Sequence, residues 1–251
     1  MRASTHFAPP NVSRGIGRAT AILAGKRGWS LGVNYVYNSV AARATVNDVK
    51  VAGGSAIALH GNVEHEQDIA QLFDSMEKCY GGRVNGVVIN AGITAEASDL
   101  ADMDVERLRR MVDVNVMGTL LCAREAARRL PISRGGNGGS IVFVSSKASK
   151  IGSPHEYVDY AASKGAVDSL TLGLSKELAQ DGVRVNTVRP GHIKTEIHKT
   201  TGDPDRAERL GKLTPIGRPG EADEVAEAIL WLLSPASSYV TGSFIDVSGG
   251  R

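Results

Sequence analysis

The chain has 251 residues, 42% of them apolar and 22% charged, the proportions of an ordinary globular protein, which excludes disordered and fibrous classes. Its 29 Lys and Arg stand against 27 Asp and Glu for a formal net charge of +2, with no basic run long enough to track phosphates, so nucleic acid is not an expected partner. The two cysteines, Cys79 and Cys122, exclude a disulfide framework and lack metal-ligand spacing, and neither an apolar span of ~20 residues nor a signal-peptide core is present; a cytoplasmic protein without metal or membrane contact is expected.

Taken in chain order, residues 1–12 are atypical for the start of an α/β domain. Proline has no amide hydrogen to donate to a sheet, so Pro9 and Pro10 predict that no well-paired central strand forms there. Ser13-Arg14-Gly15-Ile16-Gly17 then leads into an amphipathic helix over 16–28, marked by Ile16, Ala19, Ile22 and Leu23. Glycines at a helix N-terminus suit a bound anion, which meets free N–H groups and the positive end of the macrodipole, but an ordinary turn explains them equally well.

Strands are predicted over 31–36, 55–59, 84–90, 140–145, 183–188 and 243–247, with helices over 39–53, 65–80, 104–130, 155–181 and 221–234. Several of these strands are almost continuously apolar, as strands covered on both faces should be. Their alternation with helix-length segments predicts an α/β protein of repeated βα units around a parallel sheet. No repeat or linker divides the chain, so one domain over 1–251 is expected.

Tyr160 and Lys164 are four residues apart, which on a helix puts a phenol and an ammonium on one face, one turn from each other. A free tyrosine, with pKa ~10, is a poor acid or base at neutral pH, and a nearby cation favours its phenolate. Ser145 and Ser146 close the preceding strand. In open parallel sheets ligands bind beyond the carboxyl ends of strands, so one of these hydroxyls can face a crevice while the other serves as a cap. Asn115 lies inside the 104–130 helix, where Asn is unfavourable, and marks a candidate local irregularity.

Gly15-Ile16-Gly17, Asn90-Ala91-Gly92, Asn115, Ser146, Tyr160-x-x-x-Lys164 and Pro190-Gly191 follow the order and spacing of the short-chain dehydrogenase/reductase family. The chain resembles that family over residues 13–251 and is most similar to its 3-oxoacyl-carrier-protein reductase and glucose 1-dehydrogenase branch. The resemblance implies a Rossmann-type, doubly wound parallel sheet with helices on both faces and an atypical first strand. It implies hydride transfer between NADP(H) or NAD(H) and a carbonyl or secondary alcohol in a small molecule. Tyr160 would move the proton, Ser146 would hydrogen-bond the substrate oxygen, Lys164 would bind the nicotinamide ribose and lower the Tyr160 pKa, and Asn115 would join Lys164 to solvent.

By the same resemblance Ser13, Arg14, Gly15, Ile16, Gly17, Tyr35, Asn62, Val63, Asn90, Ala91, Gly92, Pro190, Gly191, Ile193 and Thr195 would hold the cofactor together with Tyr160 and Lys164. Residues 192–214 would form a substrate lid that orders on binding. The long helices over 104–130 and 155–181 and the last strand would build a homotetramer. No acid follows the 31–36 strand and Arg14 lies in the glycine turn, which favours NADP over NAD. The chain departs from the family at Pro10-Asn11 in the first turn, at Ile89, and at Asn62 where an adenine-contacting Asp is usual. The alternative to an enzyme is therefore a catalytically impaired scaffold with a damaged dinucleotide site.

Overall fold

The computed structural model describes residues 5–8, 15–90, 92–196, 203 and 205–251. Within them a parallel sheet of seven strands runs in the order β3-β2-β1-β4-β5-β6-β7. These strands are β1 (Thr5–Ala8), β2 (Ser30–Tyr35), β3 (Ser55–His60), β4 (Gly86–Ile89), β5 (Gly139–Val144), β6 (Val183–Pro190) and β7 (Phe244–Val247). The chain winds outward from β1 to β3, then returns to the other side of β1 and winds out to β7. The reversal between β1 and β4 opens a crevice at the carboxyl ends of the strands.

Apolar side chains on both faces of the central strands dictate this layering. Ile141 and Phe143 of β5 enter one core together with Val87 and Ile89 of β4, while Val142, Val144 and Val88 enter the other. The alternation is the two-residue period of a strand, and each face needs its own cover of helices. The first core is closed by α3 (Glu66–Tyr80), α5 (Gly118–Arg129) and α7 (Val158–Leu178). The second is closed by α1 (Gly15–Lys26), α2 (Ser39–Val51) and α9 (Ala222–Leu233). This is the expected α/β doubly wound sheet.

The N-terminus corrects the sequence-based expectation. Thr5–Ala8 does form a strand, paired with β2 from Thr5↔Ser30 to Ala8↔Val33 and with β4 at His6↔Gly86 and Phe7↔Val87. Pro9 and Pro10 lie outside the described residues. The atypical feature is a strand of four residues.

The predicted helix over 104–130 is α4 (Val105–Val112), a π-helical turn over Asp113–Met117, and α5. Two short helices were not predicted: α6 (Ala148–Ile151), and α8 (Arg206–Gly211) inside the expected lid. Among the described residues no helix is long and apolar enough to cross a membrane.

Candidate active site

The carboxyl end of β5 delivers Ser145 and Ser146 to the crevice. Ser145 is buried, and its hydroxyl donates to the Lys164 carbonyl at 3.1 Å, fastening α7 to the strand end. Ser146 is half-buried, and its Oγ accepts from the Ala148 amide at 3.1 Å, which starts α6. The Ser146 hydroxyl also favours the ionised form of the Tyr160 phenol. Ser146 thus faces the cavity and caps a turn at once, while Ser145 holds the helix.

On α7 the four-residue spacing places Tyr160 and Lys164 together, with the Lys164 Nζ 5.7 Å from the centre of the Tyr160 ring. Lys164 is only 3% exposed and donates from Nζ to the Val144 carbonyl at 2.9 Å. Burial pulls its ammonium down to about 8, against the opposing pull of Asp168. Burial also pushes the Tyr160 phenol above its ordinary value, and the Ser146 hydroxyl offsets only part of that rise. The balance at Tyr160 therefore runs opposite to the lowering that the sequence predicts, because desolvation of the phenolate outweighs the stabilising groups around it.

Asn115 explains the π-helical turn. Its buried amide points inward, where Oδ1 accepts from the Ile93 amide at 2.8 Å and Nδ2 donates to the Ile93 carbonyl at 3.1 Å and to Ser163 Oγ at 3.0 Å. One side chain thereby anchors the loop after β4 against α7. An extra residue in the turn is a common way to aim a polar group at a functional site.

These elements enclose a cavity of about 430 Å³. Gly15, Ile16, Asn90, Gly92, Ser146, Tyr160, Lys164, Pro190, Gly191, Ile193 and Thr195 line it. Gly17, Tyr35, Asn62, Val63 and Asn115 are not in its lining. Gly17 is buried in the first turn of α1, and Val63 is 1% exposed under Gly118. Tyr35 ends β2 with its ring edge-on to His60, and Asn62 Oδ1 accepts from the Glu64 amide at 3.2 Å. Ser13, Arg14 and Ala91, with the Pro10-Asn11 departure, lie outside the described residues.

The crevice fits a dinucleotide. Gly15 opens α1 at a φ of +55°, and a Cβ there would stand 3.3 Å from the Thr195 side chain. A Cβ on Gly92 would come within 3.1 Å of the Lys164 Nζ. Glycine therefore leaves room where backbone, lysine and the loop after β6 converge, beside the positive end of the α1 helix dipole.

Around the outer end of the cavity are residues not anticipated from the sequence. Arg206, 8% exposed on α8, grips Glu156 through two bonds of 2.7 and 2.6 Å, and its guanidinium lies 5.0 Å from the centre of the Tyr157 ring. The guanidinium holds the Glu156 carboxyl below the usual carboxylate range. Fifty residues separate the partners, so no local spacing announces the pair. Backbone strain marks the same wall, with Ser153 at a φ of 45° and His155 at 60°.

The family profile described as Enoyl-(Acyl carrier protein) reductase matches residues 12–251. The chain is 48% identical over 239 residues to the uncharacterized oxidoreductase YgfF of Escherichia coli strain K12, covering 95% of this chain and 96% of that protein. A short-chain type dehydrogenase/reductase from Mycobacterium marinum superposes with a TM-score of 0.90 at 32% identity, covering 99% of this chain and 95% of that one. A 3-ketoacyl-(acyl-carrier-protein) reductase from Brucella melitensis complexed with NADH superposes with a TM-score of 0.88 at 26% identity, covering 99% and 98%. The chain belongs to the short-chain dehydrogenase/reductase family of NAD(P)-dependent oxidoreductases.

Proposed function

We propose that the protein transfers a hydride between a nicotinamide dinucleotide, NADP(H) in preference to NAD(H), and the carbonyl or secondary alcohol carbon of a small molecule. The observation that carries this reading is the convergence of Ser146, Tyr160 and Lys164 on one cavity that also includes the start of α1. The nicotinamide cofactor supplies or accepts the hydride when bound. Gly15, Ile16, Gly17, Asn90, Gly92, Pro190, Gly191, Ile193 and Thr195 hold it with Ser13, Arg14 and Ala91, and Tyr35, Asn62 and Val63 serve its adenosine end.

Ser146 donates a hydrogen bond to the substrate oxygen. Tyr160 gives that oxygen its phenolic proton during reduction and takes a proton from it during oxidation. Because burial keeps the phenol above its ordinary value, the donating form prevails at neutral pH, which suits reduction. Lys164 keeps a cation one helical turn away to stabilise the phenolate that forms and to bind ribose. Asn115 acts through the loop it anchors.

The preference for NADP rests on charge. Tyr35-Val36-Tyr37-Asn38 at the end of β2 offers no acid to accept from a ribose 2′-hydroxyl or to repel a 2′-phosphate. A cytoplasmic homotetramer is the assembly this reading carries. Val112 of α4, Met117 of the π-helical turn and Leu120 of α5 stand 52%, 48% and 41% exposed, and Leu172 on α7 is 47% exposed.

The test follows NADPH absorbance with a panel of ketones and aldehydes. Tyr160→Phe is expected to lower kcat/KM by about 10²–10⁴ while NADPH still binds. Full activity in that variant would refute the assignment. Failure of the unmodified protein to bind either NADPH or NADH would favour the silent scaffold, the reading that Pro10-Asn11 supports.

A further inference from the structure

Five charged groups of alternating sign form a chain that begins and ends in the cavity wall, at Lys164 and Lys147, and passes behind it. Lys164 is followed one turn later on α7 by Asp168, which is 8% exposed. Arg189 of β6, 7% exposed, donates to Asp168 Oδ2 from Nε at 3.1 Å and from Nη2 at 3.0 Å. Arg189 Nη1 lies 3.7 Å from Asp246 Oδ1 on β7, and its guanidinium sits 3.8 Å from the centre of the Phe244 ring. Asp246 in turn pairs with Lys147, the residue after Ser146, whose amide donates to the Pro190 carbonyl at 2.9 Å. Burying a carboxylate and a guanidinium is costly and seldom more stable than an apolar pair, so the arrangement calls for a use beyond stability.

Asp168 has an oxygen to spare for that use. Its Oδ1 is buried and has no hydrogen-bond partner among the described residues. In a medium from which water is excluded, the part of the Asp168 charge that Arg189 does not neutralise acts through space. The other charged groups around α7 are engaged or face solvent. Arg107 of α4 is taken by Asp159, Lys150 of α6 and Asp113 of the π-helical turn are exposed, and Arg184 of β6 is held by Ser237 and Ser234. Tyr160 is neutral until its phenol ionises.

We propose that Asp168 is a positioning residue that keeps the ammonium of Lys164 charged beside the reacting phenol, and that Arg189 sets how much of the Asp168 charge Lys164 feels. The inference rests on the proposed reductase reading, which gives Lys164 its role. Burial works against the ammonium, and Asp168, one helical turn away on α7, opposes that pull.

The experiment compares the pH dependence of NADPH-linked carbonyl reduction in the full-length protein. Asp168→Asn is expected to move the alkaline limb of kcat/KM down by about one pH unit, because it removes the supporting charge. Arg189→Gln leaves Asp168 uncompensated and is expected to move the limb up. Asp168→Glu should restore the limb of the unmodified protein. If a single variant fails to fold, the doubly neutral Asp168→Asn/Arg189→Met protein removes both buried charges and should show the downward shift. Two single variants that shift the limb the same way, or a double variant with the original limb, would overturn the proposal. Competitive acetylation of lysine amines across pH, read at Lys164 by mass spectrometry, reports the same ordering without turnover and so distinguishes this failure from failure of the reductase reading.

Discussion

The Ser146 hydroxyl that favours the Tyr160 phenolate also caps the turn into α6. Ser146→Ala removes a donor aimed at the substrate oxygen and, with it, the group that offsets the burial of the phenol. Loss of one preorganised donor at a developing charge costs about 10²–10³ in kcat. The expected outcome in steady-state kinetics is a fall in kcat of that order with little change in KM. A variant whose KM alone rises would mean that Ser146 binds substrate without acting on the transition state. Among single residues, Tyr160, Lys164 and Ser146 were legible in the sequence because helix periodicity and a strand end bring them together. The rise at Tyr160 was not legible, since desolvation depends on what the whole fold packs around a group.

Among the elements, helices with a continuous apolar face were legible and their irregular parts were not. The 104–130 stretch reads as one helix, yet Asn115 widens it over Asp113–Met117 to reach Ile93. The polar residue was visible, but its partner lies 22 residues back. Short α8 is a stronger case, because its position depends on the Arg206 grip on Glu156 near the start of α7. Arg206→Ala should release α8 and leave the Glu156 carboxylate without its partner. Because the Glu156 side chain is 36% exposed, the stability loss is expected to be about 1–2 kcal/mol, below that of a fully buried pair. The expected signature is faster proteolytic cleavage near residues 205–212 and a raised KM with kcat largely kept. An unchanged KM and cleavage pattern would show that α8 stays in place without this pair.

At the scale of the whole molecule, apolar runs on both faces of the strands were enough to predict a parallel sheet between two helix layers. They were not enough to predict β1, because a four-residue strand before two prolines gains its pairing from β2 and β4, which lie far along the chain. The same fold buries a lysine in its centre, and this carries a cost that stability measurements can read. The Lys164 ammonium falls from an ordinary 10.5 to about 8, so at neutral pH the folded protein carries a charge that the unfolded chain solvates better. The difference corresponds to about 3 kcal/mol of lost stability. The loss is complete below pH 8, where Lys164 is protonated in both states. Between about 8 and 10.5 the unfolded chain binds more protons than the folded one, so the penalty is relieved as pH rises. Lys164→Met removes the charge along with one hydrogen bond to Val144, for an expected net gain on the order of 2 kcal/mol, or roughly 4–8 °C in Tm at pH 7. Such a protein should be more stable and catalytically crippled. In thermal unfolding of both proteins without added nucleotide, the gap in Tm should narrow as pH rises from 8 toward 10. A gap that stays constant over that range would mean that Lys164 is not charged in the folded protein at neutral pH, and the role given to its ammonium would fall with it.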